Sequence, residues 1–127
     1  MVEGITVAMT INELVQVSHD IALEHGWWSD RQEPYRSIAD EKAFPEKLML
    51  VVSECSEALE DFRNSRPLEF VIPGENGKPT GIPIELADIV IRVADMAGRY
   101  GIDLAHAIAL KTEYNRTRPF KHGGKRL

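Results

Sequence analysis

The sequence predicts an all-α protein built as a four-helix bundle, and three observations predict it. Apolar residues recur three and four apart through most of the chain, the period of a helix with one buried face. Helix-opening residues (Thr10, Pro45, Pro83, Asp103) precede these stretches, and helix-stopping ones (Gly26, Gly101, Pro119) follow them. One segment, residues 64–82, breaks the period with turn residues and short β-branched runs. Two short connections and four amphipathic stretches make a bundle the economical solution.

Residues 1–9 read as a frayed leader. Thr10-Ile-Asn-Glu13 is a capping-box sequence that opens a first helix, with Ile11, Leu14, Val15, Ser18, Ile21 and Ala22 on one face. Gly26 ends it. The following GWWSDRQEPYRSIADEKAF has no sustained period and reads as a loop with at most a short helical turn. A second helix is expected from about Pro45, a favourable first-turn residue, to Arg63. Leu48, Val51, Val52, Cys55, Ala58, Leu59 and Phe62 form its apolar stripe. Between helices two and three, Phe70-Val-Ile and Gly81-Ile-Pro flank PGENGKPT, whose Asn76-Gly77 favours a tight turn, so a small hairpin or an ordered loop is expected. Pro83 starts a third helix that runs to about Tyr100, with Gly101 as its stop. Asp103 caps a fourth from Leu104 to about Arg118, and residues 119–127 form a basic, glycine-containing tail.

Composition bounds the function. At 127 residues the chain is one domain, residues 1–127, with 43% hydrophobic and 28% charged residues, ordinary for a globular protein. A net charge of −5 argues against nonspecific binding to a nucleic-acid backbone. It leaves room for a small anionic ligand, because a bound metal inverts the local charge. The lone Cys55 excludes an internal disulfide, fits a reducing compartment and reads as a small core residue. The longest apolar run, Leu48 to Val52, is too short to cross a bilayer, and residues 1–9 lack a secretory signal pattern. The expected location is cytoplasmic, with no membrane or nucleic-acid partner.

Four carboxylates carry the chemistry. Glu54 and Glu57 lie in VVSECSEAL, and Glu85 and Asp88 in IPIELADIVI. Each pair is spaced i, i+3 and therefore shares one helix face. Acids on faces that pack inward repel one another and are costly to desolvate unless a cation lies between them. Oxygen-only donors suit a hard divalent ion, Mg²⁺ with Mn²⁺ as a substitute, whose usual work is bridging phosphate oxygens and activating water. Extending the same faces adds Asp61, Arg92 and Asp95. A di-iron site would need Glu-x-x-His on two helices, and the nearest match, Asp103-x-x-His106, occurs once.

On the fourth helix Lys111, Asn115 and Arg118 are spaced i, i+4, i+7 on one stripe, and Lys121, His122, Lys125 and Arg126 follow. Point charge from lysine and a bidentate fork from arginine together suit a polyphosphate. Arg116, off the stripe, complements the helix dipole. Trp27-Trp28, with Tyr35 nearby, either covers an open bundle end or an oligomer interface, the commoner use, or stacks on a nucleobase, which makes Trp28 a candidate substrate contact. His19, His25 and His106 stand alone in helical contexts and read as structural.

With these residues in view, Ser53-Glu54-Cys-Ser-Glu57 followed by Glu85-Leu-Ala-Asp88 resembles the signature of the MazG-like all-α nucleoside triphosphate pyrophosphohydrolases, Glu-Glu-x-x-Glu on one helix and Glu-x-x-Asp on the next. The 27 residues between Glu57 and Glu85 fall within the spacing of that family. GIPIELADIVIRVADMAGRYGID and KTEYNRTRPFKHGGK look like its small phage and bacterial members, so the resemblance spans roughly residues 10–126. It implies that Glu54, Glu57, Glu85 and Asp88 are Mg²⁺ ligands and that Lys111, Asn115 and Arg118 contact phosphates. It also implies hydrolysis of a (deoxy)nucleoside triphosphate to the monophosphate and pyrophosphate, by metal-activated water attacking the α-phosphorus. Glu54 is the preferred residue to orient or deprotonate that water, with Lys121 an additional substrate contact. Ser53 departs from the signature, standing where the family has its first glutamate; Asp61 and Asp95 are candidates to compensate. A homodimer or homotetramer is expected, with one copy's aromatics or basic tail reaching its partner's cleft. Two other readings compete: a non-catalytic nucleotide- or metal-binding regulatory module, and a purely structural helical protein.

Overall fold

The computed structural model describes residues 8–28 and 38–120, and these form four helices and one small hairpin. Helix α1 spans Ile11–Glu24, α2 Ile38–Arg63, α3 Ile82–Tyr100 and α4 Leu104–Thr117. Strands β1 (Ile72–Pro73) and β2 (Pro79–Thr80) pair antiparallel between α2 and α3, with Ile72 opposite Thr80. The all-α, four-helix prediction holds, and the segment that broke the helical period is the hairpin.

Local chemistry sets the boundaries where the sequence indicated them. Thr10 and Glu13 form the reciprocal capping box at α1, Asp103 Oδ1 accepts from the His106 amide at the start of α4, and Gly101 closes α3. Helix α2 is the exception, beginning at Ile38 rather than Pro45, which sits inside it. Pro45 cannot donate to the Glu41 carbonyl, yet the preceding turns hold because tertiary contacts anchor them. Buried Arg99 donates to Asp40 Oδ1 through Nε at 3.2 Å and Nη2 at 3.1 Å. The Tyr100 hydroxyl donates to the Asp40 carbonyl at 2.6 Å.

Helix α3 lies in the middle, packed along α1 on one side and α2 on the other. A methyl group at Gly98 would fall 2.8 Å from His19 Cβ, so glycine sets the approach of α1 to α3 there. Ser18 and Ala22 on α1, and Ala94 and Ala97 on α3, are likewise small and buried. The core cluster of Ala22, Trp28, Met96 and Tyr100, flanked by Leu23 and Val51, sits at one end of this seam. Trp28 meets Tyr100 edge-on at 5.9 Å, and Phe44 meets Tyr100 at 5.2 Å.

The face that α2 turns inward differs from its apolar stripe. Val51 and Ala58 are half-buried, but Leu48, Val52, Cys55, Leu59 and Phe62 are exposed. The inward line runs Lys47, Leu50, Val51, Glu54, Ala58 and Asp61, displaced from the expected stripe by roughly 90° about the axis. Cys55, expected in the core, is therefore at the surface. The reason is that α2 has one main neighbour within the chain, α3, and meets it with its charged line. Helix α4 makes a small contact with α1 and contains no buried residue. No described helix is long and apolar enough to cross a membrane.

Candidate metal centre

The charged line of α2 (Asp40, Lys47, Glu54, Asp61) repeats every seven residues, and that of α3 (Glu85, Asp88, Arg92, Asp95, Arg99) every three or four. Where the helices pack, opposite charges interlock. Arg99 pairs with Asp40 at one end, and Arg92 Nε donates to Glu54 Oε1 at 2.8 Å in the middle. Glu85 lies in the first turn of α3, close enough to feel both Glu57 and Asp61.

At this second crossing the acids outnumber the cations. One carboxylate oxygen each from Glu54, Glu85 and Asp88 lie within 4.8 Å of one another. Glu54 is buried, the other two are partly so, and the buried oxygens Glu54 Oε2 and Glu85 Oε2 have no hydrogen-bond partner among the described residues. Burial, followed by repulsion from Glu57 and Asp88, pushes the Glu85 carboxyl up to about 7. Burial and Glu54 raise Asp88, while Arg92 and Lys78 pull it back down. Neighbouring acids strained in this way and an orphaned oxygen on each helix are what a divalent cation relieves. The spacing fits as well: octahedral Mg²⁺ places neighbouring oxygens about 2.9 Å apart and opposite ones about 4.2 Å apart, within a small closure of that separation.

Not every predicted residue joins the cluster. Glu57 is exposed at its rim, near enough for its charge to raise Glu85 but not among the three converging oxygens. Ser53 is exposed. Asp95 cannot stand in for the missing glutamate in this arrangement, because its Oδ1 is held by His19 Nδ1 at 2.8 Å and by Trp28 Nε1 at 3.0 Å. Asp61, half-buried near Glu85, is free of that constraint. His19, read as structural, spends Nδ1 on Asp95 and meets the Trp28 ring edge-on at 6.1 Å.

A cavity of about 490 Å³ opens beside the cluster, with Glu54 and Asp88 in its wall. Trp27, 55% exposed, lines it, whereas Trp28 is 5% exposed and packed into the core. Trp28 as a substrate contact is thus corrected: its indole is spent on Tyr100 and Asp95, and its neighbour is the aromatic that faces the cavity. Lys47, Lys78 and Arg92 also line the cavity. Sequence reasoning missed Lys47 and Lys78, although the seven-residue repeat from Asp40 to Asp61 marks Lys47. Lys111 and Asn115 on α4, and Arg118 just past its end, are exposed and are not part of the cavity wall. Lys121, His122, Lys125, Arg126 and Tyr35 lie outside the described residues.

Comparison of the chain with known protein families, curated proteins and solved structures finds no match.

Proposed function

We propose that this protein is a Mg²⁺-dependent hydrolase that converts a (deoxy)nucleoside triphosphate into the monophosphate and pyrophosphate. The observation that carries this reading is the convergence of carboxylate oxygens from Glu54, Glu85 and Asp88, with an unpartnered buried oxygen on both glutamates, beside a cavity that also carries three cations. Its MazG-like signature supports the same assignment. Glu54, Glu85 and Asp88 would hold Mg²⁺ (or Mn²⁺), with Glu57 at the rim; when bound, the ion supplies Lewis-acid polarisation and offsets phosphate charge. The Glu54 carboxylate, whose buried Oε2 is unpaired among the described residues, takes the proton of the attacking water. The water oxygen bonds to the α-phosphorus, the bond to the β-bridging oxygen breaks, and pyrophosphate departs with its charge balanced by cations of the site. Trp27 is the aromatic placed to flank a base.

The reading extends to assembly. The exposed apolar stripe of α2 and the unburied α4 support a homodimer or homotetramer, in which Lys111, Asn115 and Arg118 of one copy reach the site of another.

An assay in Mg²⁺ across ribo- and deoxynucleoside triphosphates, separating pyrophosphate from orthophosphate, tests the reaction. Orthophosphate alone would exclude attack at the α-phosphorus. Glu54→Gln and Asp88→Asn are each expected to lower turnover at least ~100-fold with helicity retained. Near-normal turnover in both would remove the site assignment. The exposed Ser53 in place of a first glutamate favours one alternative, a regulatory module that binds nucleotide without turnover. Calorimetry showing tight binding with no product over hours would select it.

A further inference from the structure

The hairpin between α2 and α3 is built more tightly than a connection requires. Asn76 (φ 57°) and Gly77 (φ 77°) occupy left-handed conformations that carry the chain around its tip. The Gly74 amide donates to the Lys78 carbonyl at 2.7 Å, and the Lys78 amide donates to the Glu75 carbonyl at 3.0 Å. A Cβ at Gly74 would stand 2.7 Å from the Lys78 carbonyl oxygen, so only glycine permits this closure. The Thr80 hydroxyl donates to the Ile72 carbonyl at 2.7 Å and accepts from Arg66 Nη1 at 3.3 Å, fastening the hairpin to the chain that leaves α2.

The residue so fixed is Lys78, whose side chain lines the cavity beside the carboxylate cluster. The other two cavity cations are committed. Arg92 is held by Glu54 at 2.8 Å, and Lys47 donates to the Trp27 carbonyl at 3.2 Å while lying 4.4 Å over the Trp28 ring. The Lys78 ammonium makes no hydrogen bond or ion pair among the described residues. Lys47, Lys78 and Arg92 face Glu54, Asp88 and Asp95 around the cavity, and Glu85 of the cluster beside it leaves one acid in excess. A divalent cation held by the cluster therefore turns the local charge positive and suits the cavity to an anion.

We propose that the hairpin is a phosphate-recognition arm, in which Lys78 grips the terminal phosphates of a metal-bound polyphosphate seated in this cavity. The proposal rests on the reading of Glu54, Glu85 and Asp88 as a divalent-cation site for a triphosphate. It assigns to this hairpin, within the same chain, a role that the basic stripe of α4 does not fill there.

The test is isothermal calorimetry of the full chain with inorganic tripolyphosphate in Mg²⁺, a probe without a nucleoside. Lys78→Met is expected to weaken binding roughly tenfold or more, the scale of one charge-assisted contact. Lys78→Arg should stay near wild type, and Lys42→Met, an exposed charge-matched control on α2, should match it. Thermal midpoints without ligand should agree among all four proteins, which separates binding from folding. Equal affinity in Lys78→Met, or no Mg²⁺-dependent binding by the wild-type chain, overturns the proposal. Nucleotide turnover that Lys78→Met leaves untouched would sink the arm and spare the hydrolase. Lys78-dependent binding with no turnover would do the reverse.

Discussion

Replacing Glu85 with glutamine is expected to stabilise the metal-free protein and to abolish its response to Mg²⁺. The Glu85 carboxyl is raised from 4.5 to about 7 by burial and by the charges of Glu57, Asp88 and Asp61. At 1.36 kcal/mol per pH unit, keeping it ionised above pH 7 costs the fold at most about 3.4 kcal/mol. Because Glu85 is partly exposed, solvent screening reduces this to about 1–2 kcal/mol. The sign follows from proton binding. Between pH 4.5 and 7 the folded chain holds a proton on Glu85 that the unfolded chain has released, so the penalty is absent below 4.5, grows as pH rises, and is complete above 7. Glutamine removes the charge. For 127 residues, ~4 °C of thermal midpoint corresponds to 1 kcal/mol, so Glu85→Gln should melt ~4–8 °C higher than wild type at pH 8 in chelator. At pH 4.5 the two should coincide. Adding Mg²⁺ at a hundred times its dissociation constant should raise the wild-type midpoint by ~10 °C, from about 2.7 kcal/mol of linkage, and leave the variant unmoved. A variant less stable than wild type at pH 8 in chelator, or one with the same Mg²⁺ response, would refute the account of the acids as a strained cation site.

Trp28→Ala should cost about 3–5 kcal/mol in chemical denaturation, since it empties a core position against Tyr100 and leaves Asp95 short of a donor. Trp28→Phe should recover most of that loss, and an equal cost in both would transfer the effect from packing to the hydrogen bond. Light scattering should give a mass of two or four chains, and paired charges at Leu59 and Phe62, both 58% exposed, should reduce it to one without loss of helicity. A monomeric wild-type chain would rule out the assembly.

Much of this molecule is determined by the sequence acting locally. Thr10 with Glu13, Asp103 and Gly101 fix helix ends through caps a few residues long, and Asn76-Gly77 fixes the tip of the hairpin. The i, i+3 spacing alone places Glu54 with Glu57, and Glu85 with Asp88, on one face each. What local rules cannot reach is which face meets which neighbour. Apolar periodicity points Leu48, Val52 and Leu59 inward, but the pairing of Arg99 with Asp40 and Arg92 with Glu54 turns α2 about its axis, and its charged line meets α3. That rotation decides that Glu54 converges with Glu85 and Asp88 while Glu57 stays at the rim. It also gives the cavity to Trp27 and the core to Trp28, two adjacent residues that composition cannot distinguish. The same limit hides Lys78, which reaches the cavity only because the hairpin that leads into α3 packs against that helix. A helix carries two usable stripes, and only the packing of the whole chain selects which is buried.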